Sequence, residues 1–159
     1  MARILGRHWK SAALDWVAYT PTLGAGWGTC TGVSFFYARQ GDYLLVRGTF
    51  TSGTPSSSLC TITLPTGLAM DATKISTANT SSNPGEKMGE LQNVTAGHSS
   101  ALIAAPGTST GQVYMGQNTQ NNAELTPSTG VTTVGTAEFY TAYFRVPISG
   151  WSSADMIKI

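Results

Sequence analysis

The chain has 159 residues and only 9 Lys+Arg and 8 Asp+Glu, so charged side chains make up 11% of it, against an average of about 25%. Its 23 Thr and 16 Ser, with 18 Gly and 7 Pro, leave little room for helix formers and exclude a helical bundle. A net charge of +1 offers no field strong enough to hold nucleic acid or an anionic membrane, and no apolar run approaches the roughly 20 residues that span a bilayer.

The length suits one domain with a real core, and a hydrophobic share of 41% argues against general disorder. In chain order, Met1 to Lys10 is basic and lacks the apolar stretch of an export signal. Leu5, Trp9, Ala12 and Trp16 follow a 4-3-4 spacing that places them on one helical stripe, with Arg3, Arg7 and Lys10 elsewhere. A helix this short is marginal alone in water, so residues 1–15 read as an anchor that docks on its own domain, on neighbouring copies or on a larger structure. The other reading is an extended arm that orders on assembly.

Residues 16–159 read as a single β domain: short apolar or alternating runs separated by Gly, Pro, Ser, Thr and Asn clusters. Trp16–Thr22 predicts a first strand. Trp27 follows in the glycine-rich segment Gly24-Ala25-Gly26-Trp27-Gly28, where an indole is either a ligand platform or, more commonly, part of a core edge. Cys30 and Cys60 could form one bridge, but two separate buried thiols are the better expectation without an export signal.

The clearest element is a hairpin, Val33 to Arg39 through Gln40-Gly41 into Asp42 to Phe50. With Gln40-Gly41 as a two-residue loop, Tyr37 faces Leu44, Phe35 faces Val46 and Val33 faces Gly48. The opposite face carries Ala38 with Tyr43, Phe36 with Leu45 and Ser34 with Arg47, so aromatics occur on both sides.

Further strands are expected at Leu59–Leu64, Leu102–Ala105, Gln112–Gln117 and Glu138–Ile148. The last puts Tyr140, Ala142, Phe144 and Val146 on one side and Phe139, Thr141, Tyr143 and Arg145 on the other. Two strands with two apolar faces predict a central place in a sandwich or a subunit interface. Thr73–Glu86 and Asn118–Gly130 read as polar loops, able to hydrogen-bond without charge. The fold class is all-β, a jelly-roll-like antiparallel sandwich with a short N-terminal arm or helix.

Motifs for catalysis are lacking. His8 and His98 have no carboxylate or cysteine at metal-ligand spacing, and no G-x-S-x-G elbow supports a triad built on His98. Glu86 and Glu90 are the closest carboxylates in sequence, Asp42 reads as a turn acid beside Arg39, and no phosphate-cradling glycine loop or EF-hand occurs. No enzyme, cofactor or metal is expected.

Four segments in order carry a resemblance: Trp16-Val17-Ala18-Tyr19-Thr20-Pro21-Thr22, then Arg39-Gln40-Gly41-Asp42 with Val46-Arg47-Gly48-Thr49-Phe50, then Leu64-Pro65-Thr66-Gly67-Leu68, and Phe144-Arg145-Val146-Pro147-Ile148-Ser149-Gly150-Trp151. Together they resemble the C-terminal β-sandwich domain of tailed-bacteriophage tail fibre and tailspike-type virion proteins, over roughly residues 16 to 153, with residues 72–136 alike in composition only. The resemblance implies a homotrimer located in the virion, assembled in the host cytoplasm, that contacts other virion proteins and either attaches to a host cell-surface glycan or caps and trimerises the fibre. The short stretch before the sandwich departs from the family's long shafts. It leaves a second expectation, a capsid decoration protein or head fibre anchored by its N-terminal arm, and a remote one, a glycan hydrolase or esterase.

On this reading Trp27, Tyr43, Asn118, Asn121 and Asn122 are the candidate glycan contacts. Phe36, Leu45, Phe139 and Tyr143 are the candidate trimer interface, and Leu5, Trp9, Ala12 and Trp16 the particle anchor.

Overall fold

The computed structural model describes residues 14–75, 85–118 and 125–152. Nine strands run in chain order: β1 Val17–Tyr19, β2 Thr31–Gln40, β3 Tyr43–Thr51, β4 Thr61–Thr63, β5 Glu86–Asn93, β6 His98–Ala105, β7 Ser109–Asn118, β8 Leu125–Pro127 and β9 Phe139–Pro147. Two short 3₁₀ turns, Ala25–Trp27 and Ala72–Lys74, and a single helical turn α1, Gly130–Thr133, are the helical elements among the described residues. No helix among them is long and apolar enough to cross a membrane.

All pairings are antiparallel, and the strands join one sheet in the order β1-β2-β3-β9-β5-β6-β7-β4, with β8 added beside β7. The sheet curls until its two edges meet. Leu23, just past β1, bridges Ile62 of β4; Gly24 N donates to Thr61 O at 2.9 Å and Thr63 N to Thr22 O at 3.2 Å. Closure satisfies backbone groups that an open sheet would leave as bare edges. The all-β antiparallel fold expected from the sequence is the fold observed, its two layers being the two halves of one curled sheet.

The core lies between the halves. β3 contributes Leu44, Val46 and Phe50, and β9 contributes Tyr140, Ala142, Phe144 and Val146. Opposite them stand Leu102 and Ala104 of β6, Val113 and Met115 of β7 and Ile62 of β4. Burying each large apolar side chain stabilises the fold by about 1.5–3 kcal/mol, and the period-2 alternation of β9 is what delivers four of them to one face. A smaller cluster, Ile103, Ala105 and Tyr114, forms on the outer side of β6 and β7.

Several expectations need correction. The hairpin turns at Gly41-Asp42, not Gln40-Gly41, so Tyr37 pairs with Val46 and Phe35 with Gly48. Gly41 has φ 65°, the left-handed first loop position that a type II′ turn requires and that glycine takes without strain. The slip is two residues, so each side chain keeps its expected face. Trp16 lies in extended chain before β1 and is not part of a helix; Leu5, Trp9 and Ala12 lie outside the described residues. Strand β5 was not expected, because its sequence EKMGELQN lacks apolar alternation, and β8 falls within the stretch read as a loop. The two separate thiols expected are found, Cys30 and Cys60 being unbridged, but Cys30 is half-buried where Cys60 is buried.

Candidate binding and assembly surface

The outer face of the half formed by β1, β2, β3, β9 and β5 is built in cross-strand rows. One row runs Ala18, Phe36, Arg47, Tyr143, Glu90; the next runs Ser34, Thr49, Thr141, Gln92. On the other side of the first row, Ala38, Leu45 and Arg145 are aligned. This face is rich in aromatic and hydroxyl groups, and its two arginines sit on rings. The Arg47 guanidinium lies 4.2 Å from the centroid of Trp16 and 5.8 Å from that of Phe36, and Arg145 lies 4.3 Å from that of Tyr43. A guanidinium is weakly hydrated and planar, so stacking it on an aromatic ring is favourable at a surface.

Phe139 and Tyr143 remain 40% and 53% exposed. Around Thr141, which separates them along β9, lies a shallow groove of about 330 Å³ lined also by Ser34, Phe36, Arg47, Gly48, Thr49 and Ala142. Of the four residues expected at a trimer interface, Phe36, Phe139 and Tyr143 therefore lie on one accessible face. Leu45 is corrected: it shares the face but is 5% exposed, flanked by the two arginine–aromatic stacks, so it offers little area to a partner.

Trp27 is also corrected as a ligand platform. It is fully buried, its indole N–H donates to Thr61 O at 3.0 Å, and its ring meets Phe50 and Tyr140 edge-on with centroids 5.0 and 5.4 Å away. The glycines around it serve close approach rather than flexibility: a Cβ at Gly26 would overlap the Ser58 carbonyl and the Cys60 sulfur. Trp16, expected in an anchor, instead stacks with Arg47 on the outer face. Tyr43 is half-buried on that face beneath Arg145. Asn118 ends β7 opposite Leu125, while Asn121 and Asn122 lie outside the described residues. Sequence reasoning missed Arg145 and Arg47 as site residues; the signal was their alternation with aromatics on β9 and β3.

A second polar cluster sits where β9 begins. Glu138 Oε2 accepts from Asn93 Nδ2, Tyr140 Oη and Gly135 N, each at 2.7 Å. Burial acts most strongly on Glu138 and would raise its pKa, but these hydrogen bonds, with His98 nearby, hold the carboxyl below its ordinary range. Burial and the adjacent carboxylate push the Tyr140 hydroxyl up. Ser52 Oγ donates to Gly135 O at 2.8 Å and accepts from Glu138 N at 3.1 Å. With serine and acid both held by these bonds, the cluster acts as a joint tying β9 to the ends of β3 and β5. Among the described residues, no three His, Cys, Asp or Glu converge as a metal site.

Comparison of the chain with protein-family models, with curated proteins and with solved structures gave no match.

Proposed function

We propose that this chain is a structural and host-attachment domain of a bacteriophage particle, of the tail fibre or tailspike type, working as a homotrimer that holds a cell-surface glycan. The observation that carries the reading is the outer face of β2, β3 and β9, where exposed Phe139 and Tyr143 flank a groove walled by Phe36, Ser34, Thr49 and Thr141. An open aromatic face without a dense charge layer is the surface that self-association buries at least cost. The low overall charge agrees, since unpaired charges are costly at a subunit contact. The virion assignment rests on the sequence resemblance.

Sedimentation velocity at micromolar concentration tests the assembly. A trimer is expected, and Tyr143→Glu combined with Phe139→Glu is expected to dissociate it. A wild-type monomer of 16.7 kDa would overturn the trimer. Whole-cell and glycan-array binding tests the attachment. Attachment to purified particles without any cell binding would favour the capsid decoration role, and deletion of residues 1–15 would then be expected to release the protein from the particle.

A further inference from the structure

At the hairpin end of the same outer face, Tyr43, Lys74, Glu86, Lys87 and Arg145 surround a recess of about 130 Å³, with Met88 and Pro147 as its apolar part. Three cations line it against one carboxylate. Two of the cations are already engaged: Lys74 Nζ lies 3.0 Å from Asp42 and 3.6 Å from Asp71, and Lys87 Nζ lies 2.9 Å from Glu90. Arg145 is different. Among the described residues it has no carboxylate within salt-bridge distance, and its guanidinium rests on the Tyr43 ring at 4.3 Å, with Asp42 felt only as a charge further off.

A guanidinium held over a ring has its rotamer restricted, which lowers the ordering cost of a two-pronged bond to a carboxylate. Lys74 and Lys87 stand on either side, their charges answered by Asp42, Asp71 and Glu90. Arg145 alone offers five N–H donors, more than the roughly four acceptor positions of one carboxylate. A ligand that also carries hydroxyl and ring oxygens matches the surplus.

We propose that this recess binds the carboxylate of an acidic sugar, a hexuronate unit of a surface polysaccharide, with Arg145 as the fork and Lys74 and Lys87 as its flanks. The choice of a sugar rests on the attachment reading above; the carboxylate site does not require the trimer.

Calorimetric titration of the full chain with sodium glucuronate, with glucose and with N-acetylglutamate amide tests it. Glucuronate is expected to bind in the millimolar range, with glucose and N-acetylglutamate amide at least about tenfold weaker. Arg145→Gln should weaken glucuronate about tenfold or more, the loss expected for a charged hydrogen-bonded pair. Arg145 is surface-exposed, and an unchanged thermal melt would show that the variant folds. Lys87→Gln provides a second test and should weaken binding by about threefold as one flanking charge is lost. No binding of glucuronate at tens of millimolar, or equal binding by the Arg145→Gln variant, overturns the site. Equal or tighter binding of N-acetylglutamate amide overturns the sugar and assigns a peptide carboxylate. A monomer that binds glucuronate would overturn the trimer and leave the recess standing.

Discussion

The ring of Phe35 lies against Gly48, its cross-strand partner, in the space that a Cβ at position 48 would need. Phe35 is 1% exposed and stacks on Phe50 with centroids 6.3 Å apart, so the bare backbone at 48 lets this ring of β2 lie down on β3 and reach the core.

Gly48→Ala is therefore expected to destabilise the protein by about 1–3 kcal/mol, the usual cost of overpacking a core that cannot yield. Phe35→Ala should cost about 3–5 kcal/mol, and the double variant less than the sum of the two, because the added methyl then enters the space that the ring has left. Urea unfolding of the four proteins measures the coupling; additive losses would mean that the two residues do not compete for one space.

Trp27 is the central piece of the barrel end, held by its bond to Thr61 O and by Phe50 and Tyr140. Trp27→Phe removes the indole donor from a buried carbonyl and should lower stability by about 1–3 kcal/mol, and Trp27→Ala by about 3–5 kcal/mol. Neither is expected to change ligand affinity at temperatures where the variant is folded. A folded Trp27→Phe variant that loses cell or glycan binding would restore the indole to a surface role.

The Glu138 joint makes stability depend on acid. Its folded pKa is depressed, so its contribution is fully present above the ordinary value of about 4.5 and is lost as pH falls through the lower folded value. The contribution is small because the group is partly open to solvent. Melting temperature between pH 6 and pH 3 should fall more steeply for the wild type than for Glu138→Gln, whose amide does not titrate. Parallel curves would show that the joint carries no charge-dependent stability.

Burial pushes the Cys60 thiol up to about 12, and burial likewise raises Cys30. The thiolate is the reactive form, so the native protein should react slowly with a thiol reagent at pH 7.5 and the unfolded protein rapidly, with Cys30 the faster of the two in the native state. Mass spectrometry of the labelled peptides distinguishes them. Rapid native labelling of Cys60 would mean that the core opens at the β4 end.

Much of the fold was legible in the sequence because a strand that separates core from surface must alternate. β9 announced both of its faces, the hairpin announced its two, and low helix propensity with abundant Gly and Thr excluded other classes. Even the misplaced turn left each side chain on its expected face, since the register moved by two residues.

What only the tertiary structure decided depends on contacts between residues far apart in the chain. Sequence could not tell that Trp27 is buried, because the groups enclosing it come from β3, β4 and β9. Strand β5 lacks an apolar pattern of its own and forms because β9 and β6 offer it backbone partners on both sides. The outer face, with Arg145 laid on Tyr43 and Arg47 on Trp16, exists because the register brings strands separated by about a hundred residues or by a β-turn into one row. Alternation is local and can be read from one strand at a time; burial, register and a shared recess are properties of the closed sheet.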